Sequence, residues 1–564
     1  MNVMLKSYFN NFIDSNELSE YSDDENFEKF CNYYLVNQHY PQDFDLDSCS
    51  IGGGDDSGID GICIIIDDIF IRNILDLKKL YTTTKKIDVK FIFNQSKNSE
   101  KFDLGGILKF LSGIRLFFNE NNKYKNIYLK NNHEIKNEIY KNIIKFKRPL
   151  IIINYATTGK LDKNRDLDDR ISTIINDLDD INIGIIKLNF IDSKKLEKIY
   201  NEVENKVEKQ IDFRASLTLP QIKDVRQSHI LSVPIKEFVK LITNDSGSIL
   251  KNLFLDNVRD FQGNNSVNDG IKKTITSESQ EALPMFNNGI TIIAKHLEII
   301  NQRIVLTDFQ IVNGCQTSHV IWENRDELRD DTNIIVKVIE TTSSELSESI
   351  IKATNKQTEV KDEAFESLSY FHKNLENYFN AYAPKRSQPI YYERRSKQYQ
   401  SDGTKKPSQI INLSKLTRAS VACLLSQPQS THRYYGELLD SNRDKIFKNE
   451  DENYNKYYLA SSISNRVDAF LRRKEFSKNR IMKDQVSMII FKLFDAKKIK
   501  TERAYDIIDS DEKFKPLLKH AISFLNKLMK NEGSVSYIQL SRTKDFTTKV
   551  TDSISIFLDK KFDF

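Results

Sequence analysis

What the chain has little of narrows it first. Its 564 residues hold only five cysteines, Cys31, Cys49, Cys63, Cys315 and Cys423, and no two are spaced as Cys-x-x-Cys. An odd, scattered set argues for reduced thiols in a cytoplasmic protein rather than a disulfide framework. No run of about 18 apolar residues occurs, so no membrane span is expected. The stretch MNVMLKSYFNNFIDSNELSE lacks the long apolar core of a secretory signal. Charge of one sign is missing too: 84 basic against 80 acidic residues leave a net +4. Any nucleic-acid signal must therefore be local rather than global. There is no Walker A loop, no Gly-x-Ser-x-Gly elbow, no zinc motif and no internal repeat, and the histidines, among them His229, His319 and His432, have no metal-ligand spacing.

What is present is a globular composition, 39% hydrophobic and 29% charged, long enough for about three or four domains. A helix is expected over 24–37, where Phe27, Phe30, Cys31, Tyr34 and Leu35 share one face. A Gly/Asp-rich turn over 52–58 precedes strands at 62–66 and 69–75. A Lys/Thr-rich loop at 78–86 leads to a strand at 89–93, followed by a helix over 104–118. Strands at 150–155 and 183–188, each followed by a helix (near 167–178 and 194–209), complete an α/β sandwich with a mixed sheet over residues 1–212. A second, α+β region over 213–400 has strands at 289–294 and 304–306 as a hairpin-type pair, further strands at 309–312 and 334–339, and helices at 344–354 and 362–378. Residues 401–564 have almost no strand signal and read as an α-helical region, with helices near 413–425, 461–473, 484–494 and 515–528.

Two strings near the start carry chemistry. Gly-Ile-Asp-Gly at 58–61 sits at the mouth of one strand, and Gln-Ser-Lys at 95–97 ends another. A carboxylate on one strand and a polar-x-Lys on the next suit a metal-dependent phosphodiesterase. Asp60 offers charged oxygen to a hard divalent cation, and Lys97 aids the attacking water or the developing phosphate charge. Glu28 on the preceding helix adds a carboxylate. Gln95 is neutral and binds Mg²⁺ less strongly than an acid, because it lacks the charge that offsets dehydration of the cation. Asp-Gly pairs are also common turn chemistry, and Asp55, Asp56, Asp67 and Asp68 are read as turn residues.

The order of these elements over roughly 27–188 resembles the PD-(D/E)xK restriction-endonuclease-like superfamily, more closely its Mrr-like branch, in which Gln replaces the middle acid. The resemblance implies Asp60 as principal metal ligand, Gln95 as neutral ligand or ligand-positioner, Lys97 as catalytic lysine, Glu28 as accessory acid, and Mg²⁺ or Mn²⁺ as cofactor.

The most specific strings lie further on. They are Phe-Asn-Asn-Gly-Ile-Thr-Ile-Ile-Ala at 286–294 and Gln-Ile-Val-Asn-Gly-Cys-Gln-Thr-Ser at 310–318, with Asn-Val-Arg-Asp-Phe at 257–261 and Ala-Thr-Asn-Lys-Gln-Thr at 353–358. Asn313–Gly314 follows a strand, and a helix is expected from Thr317; such a turn presents free N–H groups suited to a phosphate. These strings resemble the abortive-infection phage-resistance (AIPR) family, which implies bacterial defence against phage. More distantly, the Asn313–Gln316 stretch with Asn355 and Gln357 is similar to a DGQHR/ParB-like pattern that lines one pocket, implying a nucleotide ligand for Asn287, Asn288, Asn313, Gln316, Asn355 and Gln357. Cys315 stands between Gly314 and Gln316, and no Arg follows at Ser318. The alternative is that these amides satisfy buried turn backbone.

Between the second and third regions, Arg386, Tyr391, Tyr392, Arg394, Arg395 and Lys397 interleave cations with aromatics. They suit phosphate neutralisation and base stacking on DNA or RNA, or else a solvated linker. The leading expectation is a cytoplasmic, homo-oligomeric phage-defence effector with a Mg²⁺-dependent nuclease and no membrane partner. A nucleotide- or nucleic-acid-binding sensor with a degenerate nuclease fold is the alternative, and a structural regulator of another protein is a third.

Overall fold

Unbroken apolar runs become buried strands. In the computed structural model, α1 (Val3–Asn16) and α2 (Asp23–Asn37) precede β1 (Gly61–Ile66), β2 (Ile69–Phe70) and β3 (Val89–Lys97). Then come α3 (Leu104–Phe118), α4 (Ile127–Lys141), β4 (Leu150–Thr157) and β5 (Ile185–Ile191). The structure describes the chain apart from residues 42–43, 53, 68, 73, 75–76, 78–85, 120–123, 160–174, 177, 179–181, 205–207, 245–246, 255–265, 356–369, 395–397, 400–403, 434, 449–450, 531, 533–539 and 559–564. The expected loop at 78–86 except its last residue, most of the expected helix near 167–178 and the first eight residues of the one at 362–378 lie outside the described residues, as do Asp68 and the string at 257–261; the rest of the latter helix is present from Tyr370.

The first sheet runs in the order β2-β1-β3-β4-β5. β1 is antiparallel to β2 and β3, and β3 is parallel to β4, so the sheet is mixed. Every residue of β1 and all but the first of β4 are buried, as expected where both faces are covered. α3 begins with the Asp103 side chain accepting the Gly106 N–H at 2.7 Å, which satisfies a free donor of its first turn. Its Phe117 packs edge-on to Phe93 of β3, ring centroids 5.3 Å apart. A Cβ at Gly113 would stand 2.1 Å from the Ser57 carbonyl oxygen, so a glycine is required for the 57–58 turn to lie on this helix. The strand expected over 69–75 ends at Phe70. α1 and α4 are additional elements.

The central region runs α5 (Ser193–Val203), β6 (Glu208–Asp212), β7 (Ala215–Thr218), β8 (Gln227–Pro234), α6 (Ile235–Ile242), α7 (Ser266–Ile275), β9 (Ile290–Ile300), β10 (Arg303–Asn313), α8 (Cys315–Glu323), β11 (Asn333–Glu340) and α9 (Ser344–Asn355). Its six strands follow the order β6-β10-β9-β11-β8-β7. β9 and β10 form one long hairpin that unites the strands expected at 304–306 and 309–312. Asn301 turns it with φ of 57°, a conformation asparagine tolerates. β11 joins β9 in parallel and β8 antiparallel. The helix expected at 194–209 stops at Val203, and a strand follows it.

Beyond α10 (Tyr370–Tyr382), β12 (Tyr391–Glu393) and β13 (Ile410–Asn412) pair in parallel, a two-stranded addition to a region otherwise helical. α11 (Leu413–Cys423), α12 (Tyr454–Leu471), α13 (Lys483–Ala496) and α14 (Asp511–Lys530) supply its buried core. The chain forms two compact units: Met1–Phe30, Asp45–Phe190 and Glu366–Phe564 make one; Cys31–Phe44 and Ile191–Phe365 make the other. The first unit therefore combines the N-terminal sheet with the C-terminal helices. Within it, Arg480 pairs with Asp45 at 2.5 Å and with Asp47, which also pairs with Lys29 of α2. The Tyr21 hydroxyl donates to the Arg472 carbonyl at 2.5 Å. Among the described residues no helix is long and apolar enough to cross a membrane.

Candidate active site

The Gly-Ile-Asp-Gly turn places Asp60 one residue before β1, and β1 pairs with β3 so that Gly61 lies opposite Asn94. Asp60 donates its backbone N–H to the Asn94 carbonyl at 3.0 Å, next to Gln95. One oxygen of its carboxyl, Oδ2, accepts both the Ser96 N–H at 2.7 Å and the Ser96 hydroxyl at 3.1 Å. The side chain is thus fixed by the residue between the glutamine and the lysine. Gln95 and Lys97 share one face of β3 by strand alternation. Gln95 is buried, 3% exposed, and Lys97 is exposed at the end of the strand. The turn residues behave as expected: Asp56 accepts the Gly58 N–H at 2.7 Å, and Asp55 is left-handed with φ of 50°.

Electrostatics link the same residues. Burial pushes the Glu28 carboxyl up to about 8; the Asp60 charge raises it further and the Lys97 ammonium opposes the rise. Asp60, only 7% exposed, is pushed up to about 6, again chiefly by burial, against the Ser96 hydrogen bonds and Lys97. Asp56 raises both. The Asp60 and Lys97 charges thus both act on the Glu28 carboxyl, and Lys97 also acts on Asp60. Among the described residues Gln95 Nε2 reaches only the Ser96 carbonyl, at 3.5 Å, and its buried Oε1 has no hydrogen-bond partner. Among the described residues no group of three His, Cys, Asp or Glu side chains is arranged to hold a metal ion, so a cation here needs the amide oxygen or backbone besides the acids. Ser96 was overlooked because it stands at the x position of Gln-x-Lys, where the motif asks for nothing. Asp56 contributes to the electrostatics as well as to the turn.

The amides of the central unit meet a different fate. Asn313 donates to the Thr354 carbonyl at 2.8 Å. Asn287 accepts the Gly289 N–H at 2.9 Å and donates to the Thr317 hydroxyl at 3.0 Å. Gln316 accepts from Asn268 at 2.9 Å, and Asn288 is exposed. α8 begins at Cys315, two residues earlier than expected, with left-handed Gly314 as its cap. A Cβ on Gly314 would stand 2.8 Å from Ile290 Cγ1. The side chain of Asn355, and Gln357 altogether, lie outside the described residues. The described amides brace turn and helix ends, with Asn313 joining β10 to α9.

The cation–aromatic stretch is largely internal. Arg386 pairs with Asp509 and lies 4.0 Å from the Tyr505 ring. Arg394 pairs with Glu376 at 2.9 Å, and the Tyr392 hydroxyl meets His372 Nδ1 at 2.8 Å. These three side chains are buried, against the expectation of nucleic-acid contacts, because a buried, paired guanidinium has no surface to offer a phosphate. Tyr391 is half-buried beside Lys405, 5.0 Å from its ring; Arg395 and Lys397 lie outside the described residues.

A family model described as AIPR protein matches residues 254–561. No curated protein matches the chain. No solved structure matches it either.

Proposed function

The chain belongs to the AIPR family, whose model covers more than half of its residues, and we propose that it serves abortive-infection phage defence as a metal-dependent nuclease working from its N-terminal centre. The observation that carries this reading is Asp60, held by Ser96 between Gln95 and Lys97 at the end of β3, with Asp60 and Lys97 both acting on the Glu28 carboxyl and with Gln95 Oε1 buried and unpartnered among the described residues. Two carboxyls held above their ordinary pKa chiefly by burial, with Asp60 raising Glu28, form a site whose charged state a divalent cation would favour. Mg²⁺ or Mn²⁺ fits the donor set: Asp60 and Gln95 would hold it, and Glu28 would add charge from α2. Such a cation, when bound, supplies Lewis-acid activation of water and of the phosphate.

The chain's own residues do the rest. Ser96 holds Asp60 in one orientation through two hydrogen bonds. Lys97, exposed at the strand end, offers its ammonium to the phosphate of DNA or RNA and to the charge that develops there. Glu28, kept protonated near neutral pH without a cation, can release its proton when positive charge arrives. Incubating purified protein with DNA and with RNA tests the reading. Cleavage should require Mg²⁺ or Mn²⁺, and Lys97→Ala should abolish it; equal cleavage by the variant sinks the assignment.

One observation favours a second reading. Gln95 stands where a third acid would complete the charge, and no three acidic or imidazole ligands converge among the described residues. A sensor that binds nucleic acid or a nucleotide on a degenerate nuclease fold would look like this. Calorimetric binding of an oligonucleotide without cleavage under any metal would select it.

A further inference from the structure

Two polar atoms at the candidate centre are buried and, among the described residues, without hydrogen-bond partners: Oε1 of Gln95 and the hydroxyl of Tyr155. The residues are 3% and 0% exposed. They are register partners on the parallel strands β3 and β4, so their side chains leave the sheet on the same face. α3 covers that face: Phe110 of α3 lies 6.3 Å from the Tyr155 ring. The Tyr155 hydroxyl lies against the first turn of α3, where a Cβ on Gly106 would stand 2.8 Å from it and 3.0 Å from Asp103 Oδ2. Gly106 is thus the residue that admits the hydroxyl. Burial, with Asp103 and Asp60 adding to it, pushes the Tyr155 pKa up to about 12, so the group stays protonated and able to donate.

Native interiors rarely leave such atoms unmatched, and two that face the same way from neighbouring strands call for one shared partner. A water molecule accepts from the tyrosine hydroxyl and donates to the amide oxygen, which satisfies both. We propose that Tyr155 is a positioning residue of this centre: its hydroxyl and Gln95 Oε1 hold one water molecule between them, which fixes the Gln95 amide for the cation. The role toward the cation rests on the nuclease reading; the water site rests on the sheet register and the two buried atoms alone.

Tyr155→Phe removes the hydroxyl and little else. The melting temperature should fall, and the Mn²⁺ dissociation constant, measured by calorimetry on the full chain, should rise by about tenfold, the usual size for an outer-sphere partner. In a Gln95→Leu background, where the water has lost its second partner, the same change should no longer lower the melting temperature. A higher melting temperature for Tyr155→Phe overturns the water site, because it marks a hydroxyl that was simply unsatisfied. A lower melting temperature with unchanged Mn²⁺ affinity, or an equal effect in the Gln95→Leu background, overturns the positioning role. Should the wild-type chain bind no Mn²⁺, the nuclease reading and the positioning role fall together. The melting-temperature cycle still judges the water site. A high-resolution crystal structure provides a reading free of variants: ordered density between the two atoms supports the site, and a dry contact overturns it.

Discussion

In the central unit Asn287, Asn313 and Gln316 each meet a partner, whereas in the first unit Gln95 Oε1 is unmatched among the described residues and burial holds the Glu28 and Asp60 carboxyls above their ordinary pKa. Both clusters are polar, both sit at strand ends, and both stand out in the sequence. They differ in whether the fold itself satisfies them. The amides of the family-matched region brace a bulged strand, a left-handed glycine and a helix start. The carboxyls of the N-terminal centre lie outside the matched 254–561 and are held above their ordinary pKa chiefly by burial. A specific string can thus mark architecture, while the proposed chemistry sits in a plainer one.

The sharpest way to separate the clusters is by what each loses on substitution. Lys97→Ala should cut metal-dependent cleavage by about 100-fold or more, in the range of lost electrostatic stabilisation, while thermal unfolding stays nearly unchanged because the side chain is exposed. Gly314→Ala should do the reverse. With φ of 92° and Ile290 Cγ1 2.8 Å from the new Cβ, it should destabilise by about 1–3 kcal/mol in denaturant unfolding and leave Mn²⁺ affinity intact. Asn313→Ala strips the Thr354 carbonyl of its donor and should destabilise by about 1 kcal/mol, again without touching Mn²⁺ affinity. If it weakens cation binding, the contrast between the clusters breaks.

A smaller effect concerns pH. The folded Glu28 carboxyl, at about 8, lies above its ordinary value of 4.5, so the protonated form favours the folded state. That contribution is complete below the ordinary value and is lost as pH rises toward 8. Urea unfolding of the metal-free protein at about pH 5 and about pH 8 should therefore show wild type losing more stability than Glu28→Gln.

Much of the scaffold was legible because its residues obey a single period. The helix expected at 104–118 has the observed bounds, and the apolar runs of β1, β3 and β4 are strands. α4 escaped notice because its asparagines and charges blur the apolar stripe, although Asn126 caps it by accepting the Tyr128 and Leu129 N–H groups. β12 and β13 are three residues each, too short for a pattern. In the candidate site, Glu28, Asp60, Gln95 and Lys97 could be read from their order along the chain. Tyr155 could not, because only the register of two strands 60 positions apart sets it beside Gln95. Arg386 was misread for a related reason: its partner Asp509 lies 123 positions away, and nothing local betrays the pairing.

The central claim is that Asp60 and Gln95 form a cation site. Calorimetric titration of Mn²⁺ into the full chain and into Asp60→Asn tests it most directly. The account predicts binding by the wild type that strengthens as pH rises from about 6 to about 8, as the two carboxyls release their protons, and its loss in the variant. A wild type that binds no Mn²⁺, or a variant that binds it equally well, would contradict the account.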